Sequence, residues 1–476
     1  MVRSQTGRIL SGTLTDGSVQ ERSSYWYDGA GRLVRAVIPR HDLSYTFASS
    51  GGCGANVRAG LNGNRMGSTD VLDGGTPTTV RSCFDNADRL TSTTVTGAPS
   101  GATAVSRTVT ASSIMYDATG STTALADQRF TYDAAGRHVS TSAGDGTDVT
   151  YVRDGSDRIV ERTQTVAGTT SVQRYGFTGP GDSPDLVLDA AGVLVARTLT
   201  LPGGVLVNLP VSGGARWSYP NVHGDLVVTT EAAGARIGAR ASYDPFGQPI
   251  DPVTGRIGTT AADDAVPDTL PGDGDNAWVG QHQKLYEHAG PLAAIEMGAR
   301  VYLPGLGRFL SVDPVEGGVD NAYAYPADPI NMFDLDGEAA IAIPVIAVVL
   351  LLAVALAATV VLWQHCVVNG RGVTLPTTVS IPMPRSGTKT AKDQKGAKYL
   401  VYEIHTAKSG TTYEYGISRA GGSRPQSQLG KCAKYFSQAC TWSARATRRG
   451  WVAARPRRRR SSAATRAGTG TARPDS

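Results

Sequence analysis

A short unit that recurs five times before residue 160 constrains the fold more than any other feature of the sequence. In its fullest form, at residues 27–33, it reads YDGAGRL, with an aromatic residue first and an Arg-Leu pair last. The other copies lie at residues 84–90, 116–120, 132–137 and 153–159. Aromatic residues favour strands, whereas Asp and Gly favour tight turns, Gly because it adopts positive φ angles without strain. The unit therefore predicts a β-hairpin at each copy.

Thr, Ser and Val dominate the stretches between the copies, for example at residues 105–110 and 171–175. That is the composition of exposed strands. The chain contains 57 glycines among 476 residues, and only 18% of its residues are charged, which excludes a disordered polyelectrolyte. The irregular spacing of the copies disfavours a propeller. Residues 1–240 are therefore predicted to form a long antiparallel sheet, wound hairpin by hairpin.

The same units carry a resemblance to a known family. They are similar to the YD repeats of the RHS/YD-repeat family, and NVHGD at residues 221–225 and YDPFG at 243–247 follow them as in that family. Residues 298–337, GARVYLPGLGRFLSVDPVEGGVDNAYAYPADPINMFDLDG, resemble the RHS repeat-associated core domain almost throughout. The resemblance implies a mainly β fold, in which residues 1–240 form a hollow shell of wound antiparallel strands. The core domain, residues 241–337, is expected to plug one end of this shell, which encloses a C-terminal toxin.

Members of this family commonly cut themselves just after the core domain, and the resemblance implies the same reaction here. Hydrolysis of a peptide bond needs one carboxyl group to activate water and a second acidic or basic group to polarise the carbonyl. Arg300 and Asp313 occupy the matching positions and are the candidate residues for self-cleavage. The expected cleavage region is Asp336, Gly337 and Glu338.

The sequence departs from the family pattern at two points. Leu303 stands where relatives often carry a second aspartate, and residues 334–337 read DLDG, without the proline that often precedes this glycine. The aspartates at 334 and 336 still lie close to the expected cut. The alternative interpretation is that Arg300 and Asp313 form a buried ion pair that closes the plug, with the nearby glycines serving turns.

An uncharged apolar run, AAIAIPVIAVVLLLAVALAATVVLW, occupies residues 339–363. It is longer than the roughly 20 apolar residues that span the hydrocarbon core of a bilayer. Pro344, near one end, is tolerated in membrane helices. We expect this segment to form a transmembrane-like helix that inserts into a membrane at some stage. The alternative is a hydrophobic helix buried inside the shell.

After a linker at residues 364–398, the segment 399–443 carries two alternating runs. They predict strands at 399–405 and 411–418, with a helix following from about Pro425, so this segment is expected to be a small α+β unit.

The hairpin, with LVYEI and then YEYGIS, resembles the GIY-YIG nuclease domain. That resemblance implies phosphodiester cleavage, in which a tyrosine helps to activate water, an arginine contacts the phosphate and a Glu holds a divalent metal such as Mg²⁺. The candidate catalytic residues are Tyr402, either Tyr413 or Tyr415, and Arg424, with Arg419 as the alternative arginine. No Asp or Glu occurs between residues 431 and 474, where the family places its metal ligand, so the metal site stays unassigned. The alternative is that the tyrosines are ordinary strand residues.

Residues 444–476 are rich in Arg and have no hydrophobic periodicity, which predicts a disordered basic tail and leaves open whether the payload is active or is truncated and inactive in this copy. The alternative is a basic arm that binds the phosphates of nucleic acid.

The five cysteines are widely spread and show neither a CxxC pair nor zinc-ligand spacing. Cys432 and Cys440 are interpreted as free thiols, with a disulfide between them as the alternative. The first residues, MVRSQTGRILSG, contain no apolar run and predict no signal peptide. Because these first residues begin in the middle of a repeat, we expect the chain to be the C-terminal portion of a longer protein.

Together these patterns favour the C-terminal part of an RHS-family polymorphic toxin, secreted or associated with the cell surface, whose shell carries and releases a nuclease-like payload. The family implies a cognate immunity protein as a partner, with nucleic acid and a membrane as further partners. The alternative is a cell-surface YD-repeat protein, anchored by the apolar segment and acting in adhesion or carbohydrate binding.

Overall fold

The computed structural model describes residues 1–179, 181–315, 321–338, 341–342, 399–406, 412–419, 440–446 and 471–472. Contacts divide the chain into two compact units, Met1–Gly370 and Arg371–Ser476. The structure is mainly β, with antiparallel sheets and very little helix, and it confirms the predicted fold class.

The first sheet of the first unit contains eight described strands, and every strand pairs with its neighbours along the chain. They are β1 (Val2–Arg3), β2 (Ile9–Asp16), β3 (Val19–Tyr27), β4 (Leu33–Ile38), β5 (His41–Thr46), β6 (Gly67–Leu72), β7 (Thr78–Phe84) and β8 (Leu90–Thr96). A 3₁₀ turn at Ala59–Asn62 separates β5 from β6.

The second sheet continues in the same manner through thirteen described strands, after a 3₁₀ turn at Ala111–Ser113. They are β9 (Ile114–Tyr116), β10 (Thr122–Leu125), β11 (Gln128–Tyr132), β12 (His138–Ser142), β13 (Asp148–Arg153), β14 (Ile159–Val166), β15 (Thr169–Gly176), β16 (Leu186–Leu188), β17 (Leu194–Thr200), β18 (Leu206–Pro210), β19 (Arg216–Pro220), β20 (Leu226–Glu231) and β21 (Arg236–Ile237). The strand order follows the chain order throughout, so the predicted hairpin-by-hairpin order is confirmed, but the strands form two sheets rather than one long sheet.

A third, smaller sheet belongs to the region predicted as the core domain. Its strands are β22 (Gly274–Asn276), β23 (Leu285–Glu287), β24 (Ala294–Met297), β25 (Arg300–Leu303) and β26 (Arg308–Phe309). The short helix α1 (Thr260–Asp263) precedes it, and a 3₁₀ turn at Gly280–His282 lies between β22 and β23. A final pair, β27 (Met332–Phe333) and β28 (Ile341–Ala342), is also antiparallel.

Each copy of the recurring unit forms a turn between two strands, as predicted. In the copy at 132–137, Oδ1 of Asp133 accepts hydrogen bonds from the backbone N–H groups of Ala135 (2.8 Å) and Arg137 (3.0 Å). Oδ2 accepts from Nε of Arg137 at 2.7 Å. The aspartates at 28, 85 and 154 make the same three bonds. The spacing of Asp and Arg in the unit therefore allows the Asp side chain to accept hydrogen bonds from the backbone N–H groups of this turn and from the Arg side chain.

The tyrosine of the unit connects one turn to an earlier strand. The hydroxyl of Tyr132 donates to the carbonyl of Thr122 at 2.9 Å, and Tyr116 donates in the same way to Leu90 at 2.8 Å. In both cases the acceptor is the first residue of a strand. Because a buried hydroxyl needs a partner, this bond fixes the position of each hairpin relative to the one before it.

The third sheet packs against residues of both larger sheets. One hydrophobic cluster joins Leu90 of the first sheet and Phe130 of the second sheet to Val301 and Leu303 of β25. A second cluster, centred on the fully buried Trp278, lies within the core domain itself. The core domain therefore packs against both sheets of its own unit.

A disulfide joins Cys53 to Cys83, with the two Cα atoms 4.6 Å apart. This bond was not predicted from the sequence. The described parts of the second unit contain β29 (Tyr399–Thr406), β30 (Thr412–Arg419), β31 (Cys440–Ala446) and β32 (Thr471–Ala472), in the sheet order β30-β29-β31-β32.

The first two of these strands lie where the alternating pattern predicts strands. β31 runs past residue 443, so the start of the predicted tail falls inside a strand. The helix expected from Pro425 lies outside the described residues, as does the apolar run at 339–363 apart from Ile341–Ala342. Among the residues described, no helix is both long enough and apolar enough to cross a bilayer.

Candidate self-cleavage site

Arg300 is the first residue of β25, and its side chain is completely buried. Its guanidinium carbon lies 3.8 Å from the centre of the Phe309 ring on the neighbouring strand β26. Its Nη1 donates a hydrogen bond to the carbonyl of Ala322 at 3.0 Å. These contacts fix the plane of the guanidinium and leave Nη2 directed toward the end of the core domain.

Two carboxylates meet at this one nitrogen. Nη2 of Arg300 lies 2.9 Å from Oδ2 of Asp334 and 3.1 Å from Oδ2 of Asp313. Both side chains are almost completely buried, with exposed fractions of 0% for Asp334 and 4% for Asp313. The backbone N–H of Asp313 donates to the carbonyl of Ala322, the same oxygen that Arg300 binds. The structure therefore brings together the two predicted residues, and it adds Asp334.

Burial lowers the pKa of the Arg300 guanidinium, and the charges of Asp334 and Asp313 oppose that shift. A guanidinium remains protonated in proteins despite such a shift, because its ordinary pKa is above 12. The site therefore contains one fixed positive charge and two carboxyl groups in a buried environment. Such an arrangement allows one carboxyl group to take up a proton while the other gives one up.

The backbone of the expected cleavage region contacts the backbone at the start of β25. The carbonyl of Asp336 accepts a hydrogen bond from the backbone N–H of Ala299 at 3.0 Å. Gly337 has a φ of 69°, and a Cβ there would lie 2.9 Å from the backbone nitrogen of Arg300 and 2.5 Å from the carbonyl oxygen of Met297. Only a glycine allows this approach. The predicted cut thus lies against the backbone of Arg300.

Leu303 is buried in the hydrophobic cluster that joins β25 to the two larger sheets. An aspartate in this place would be surrounded by apolar side chains. The second carboxylate of the site comes instead from Asp334, in the DLDG motif itself. The departure at Leu303 is therefore compatible with a site that contains two carboxyl groups.

The chain after the cleavage region returns to the core domain. In the pair β27–β28, Met332 is paired with Ala342 and Phe333 with Ile341. The cleavage region is thus the connection between two paired strands. A cut there leaves the residues on its two sides joined through backbone hydrogen bonds.

The nuclease candidates lie in the second unit. Tyr402 of β29 is paired with Gly416 of β30, and Tyr415 of β30 is paired with Glu403. Tyr413 lies in β30 beside an irregularity of the pairing. Arg424 lies outside the described residues.

No group of three or more His, Cys, Asp or Glu side chains suited to a metal ion occurs in the part of the chain that the structure describes. Residues 431–474 contain no carboxylate. Residues 431–474 therefore do not provide the carboxylate ligand of the expected Mg²⁺ site.

No family model matches the chain, and no curated protein matches it. Among solved structures, the chain is similar to the crystal structure of TcdB2-TccC3, with a TM-score of 0.45 and 17% identity over 70% of this chain and 18% of that chain. It is also similar to the crystal structure of TcdB2-TccC3-Cdc42, with a TM-score of 0.43 and 15% identity over 67% of this chain and 17% of that chain. A third similar structure is the Photorhabdus luminescens Tc holotoxin pore with the mutation TccC3-D651A. Its TM-score is 0.41, with 16% identity over 67% of this chain and 17% of that chain. The chain spans less than a fifth of the length of each of these structures.

Proposed function

We propose that the chain is part of an RHS-type toxin, in which the repeats and the core domain carry a C-terminal payload, and that the core domain cuts the chain between Gly337 and Glu338. The observations that carry the proposal are the buried contact of the Arg300 guanidinium with two carboxylates and the close approach of Gly337 to the backbone of the same Arg300. The recurring turns and the enclosed core domain support the carrier role.

In the proposed reaction, a water molecule attacks the carbonyl carbon of Gly337. One carboxylate of the pair Asp313 and Asp334 takes a proton from that water, and the other carboxyl group gives a proton to the nitrogen of Glu338 as the C–N bond breaks. Arg300 holds both carboxyl groups in position and compensates negative charge in the buried site. Burial keeps the surrounding water out, so that only a bound water reacts.

The experiment is a time course of the purified full-length chain on a denaturing gel. The proposal expects two fragments from the natural sequence and an intact chain from Asp313→Asn and from Asp334→Asn. Asp263→Asn is the matched control, because it removes another buried carboxyl group, in α1, away from the site. An intact natural chain, or cleavage of both site variants at the natural rate, would overturn the proposal.

The pairing of β27 with β28 adds a second expectation. The fragment that begins at Glu338 still contains Ile341–Ala342, which pair with Met332–Phe333. The two fragments are expected to elute together in gel filtration and to separate only when the core domain unfolds. Immediate separation after the cut would show that this pairing does not retain the payload.

The same proposal assigns a nuclease-like activity to the payload, with an immunity protein as its partner and with passage through a membrane by the apolar segment. It rests on the resemblance of the hairpin to the GIY-YIG motif, and the pairing of Tyr402 with Gly416 supports it. The test is cleavage of plasmid DNA and of total RNA by the full chain, with Tyr402→Phe as the variant and Tyr399→Phe, at the start of the same strand, as the control. Loss of cleavage in Tyr402→Phe alone supports the assignment, and equal cleavage by both variants contradicts it.

A further inference from the structure

A cavity lies between the first sheet and the core domain. Its lining includes Phe47 and Phe84 from the first sheet region, Phe246 and Tyr325 from the core domain, and two arginines, Arg65 and Arg308. The remaining lining residues are small, apolar or amide side chains, and none of the lining residues is acidic. A cavity with two cationic groups and no carboxylate in its wall is an unusual electrostatic environment.

Arg308 lies in β26 and is 92% buried, with an exposed fraction of 8%. Its Nη2 donates one hydrogen bond to the backbone carbonyl of Asp88 at 2.7 Å. Its guanidinium carbon lies 5.2 Å from the centre of the Phe84 ring and 4.9 Å from the centre of the Tyr323 ring. Among the described residues it forms no ion pair. The carboxylate of Asp88 is engaged elsewhere, because it accepts hydrogen bonds from the side chains of Asn62 and Asn64.

Arg65 is half-buried, and like Arg308 it contacts a backbone carbonyl and an aromatic ring. Its Nη2 donates to the carbonyl of Gly305 at 3.1 Å, and its guanidinium carbon lies 4.4 Å from the centre of the Phe246 ring. It too forms no ion pair with a residue that the structure describes. A Cβ on Gly307 would lie 3.0 Å from the guanidinium carbon of Arg65, so this side chain covers the backbone immediately before Arg308.

Other deeply buried arginines of the first unit have a carboxylate partner, which Arg308 and Arg65 do not have among the described residues. Arg162 contacts Glu287 at 2.6 Å, Arg153 contacts Glu296 at 2.5 Å and Arg300 contacts Asp334 at 2.9 Å. A buried charge without a partner of opposite charge is costly, and contacts with aromatic faces offset only part of that cost. Burial also lowers the pKa of the Arg308 guanidinium, and the charges of Asp88 and Asp85 oppose that shift only in part.

We propose that this cavity binds a small monovalent anion, of the halide or carboxylate class, between the guanidinium groups of Arg65 and Arg308. The cavity is small, which restricts the ligand to a single small group, and aromatic rings form part of its wall. The anion supplies the negative charge that the chain provides for its other buried arginines. It connects Arg65, which follows the 3₁₀ turn of the first sheet region, to Arg308 of the core domain, and thereby stabilises the enclosure of the core domain.

The test is thermal unfolding of the full chain at constant ionic strength, in which sodium gluconate, whose anion is too large for the cavity, is replaced stepwise by sodium chloride or by sodium formate. A ligand that binds only the folded state raises the midpoint temperature, and the rise levels off as the site fills. We expect a saturable rise of about 2 °C for at least one of the two anions. The more effective anion assigns the ligand to the halide or to the carboxylate class.

Arg65→Gln is expected to abolish the saturable rise. The matched control is Arg35→Gln, because Arg35 also lies over an aromatic ring, that of Trp26, but is exposed and paired with Asp42. A rise that does not saturate, or one that persists in Arg65→Gln, would overturn the proposal, because either result reports a general salt effect. A second measurement does not depend on a variant: crystals of the natural chain grown with bromide are expected to show an anomalous peak between Arg65 and Arg308. The absence of that peak would also overturn the proposal.

Discussion

Arg162 of β14 and Glu287 of β23 form a completely buried, two-pronged ion pair that joins the second sheet to the sheet of the core domain. Nε and Nη2 of the arginine donate to the two carboxylate oxygens at 2.7 and 2.6 Å. The hydroxyl of Tyr151 donates to the same carboxylate at 2.8 Å. The two residues lie 125 positions apart in sequence, and their ion pair connects the repeats to the core domain.

The first prediction concerns this pair. Glu287→Gln leaves the Arg162 charge buried without its counter-charge, so we expect the free energy of unfolding to fall by about 3–5 kcal/mol. The matched control is Glu161→Gln, next to Arg162 in the same strand, because the Glu161–Arg174 pair is partly exposed to solvent and should contribute about 0–1 kcal/mol. Urea unfolding measures both. Equal effects of the two substitutions would contradict the role given to the buried pair.

The second prediction concerns the recurring turn. Gly136 has a φ of 79° and open space around its Cα, so Gly136→Ala should cost about 1 kcal/mol through backbone strain alone. Gly155, in the next copy, also has open space but does not have a positive φ. Gly155→Ala is therefore expected to leave stability unchanged or to raise it by about 0.4–1 kcal/mol. The urea unfolding midpoints of the two variants show whether the loss of stability comes from backbone strain at the positive φ or from crowding by the added methyl group. Similar losses of stability at both positions would contradict the role given to the positive φ of Gly136.

The repeats were predictable because their information is local. Asp133 and Arg137 are four residues apart, and their hydrogen bonds satisfy the turn between two strands that the alternating pattern already indicates. The same turn also occurs at Asp189 and Asn221, where the residues before it do not match the unit, and the sequence analysis did not identify it there. The turn requires only a side-chain oxygen at the right place, so it tolerates more variation than a motif does.

What could not be predicted depends on residues that are distant in sequence. Nothing near Glu287 indicates that its partner is Arg162, and nothing near Cys53 indicates Cys83. In the candidate site, Arg300 and Asp313 were identified from a resemblance. Asp334 contacts the same guanidinium nitrogen of Arg300 as Asp313 does. This contact depends on how the end of the core domain folds back over β25, which no spacing of residues in the sequence specifies.

The third prediction concerns pH. Burial raises the pKa of Asp263 from its ordinary value of 3.8 to about 7. The folded state therefore keeps this carboxyl group protonated, whereas the unfolded state ionises it above pH 4, so the stability contributed by this group falls as the pH rises from 4 to 7. Asp263→Asn removes this dependence and keeps an acceptor for the hydroxyl of Tyr286.

We expect Asp263→Asn to match the natural chain below pH 4 and to be more stable above pH 7, by an amount on the order of 4 kcal/mol at most. Urea unfolding at several pH values measures the difference. A constant difference across the pH range would show that Asp263 is ionised in the folded state and would contradict the prediction.

The most direct test of the central claim is to determine, by N-terminal sequencing and intact mass, where the purified full-length chain is cut. The account predicts a fragment that begins at Glu338 and its complement that ends at Gly337, and neither fragment from Asp334→Asn. A chain that remains intact under the conditions in which it is folded would contradict the claim. A cut at any position outside residues 334–338 would contradict it as well, because the claim places the cut in the segment that passes the backbone of Arg300.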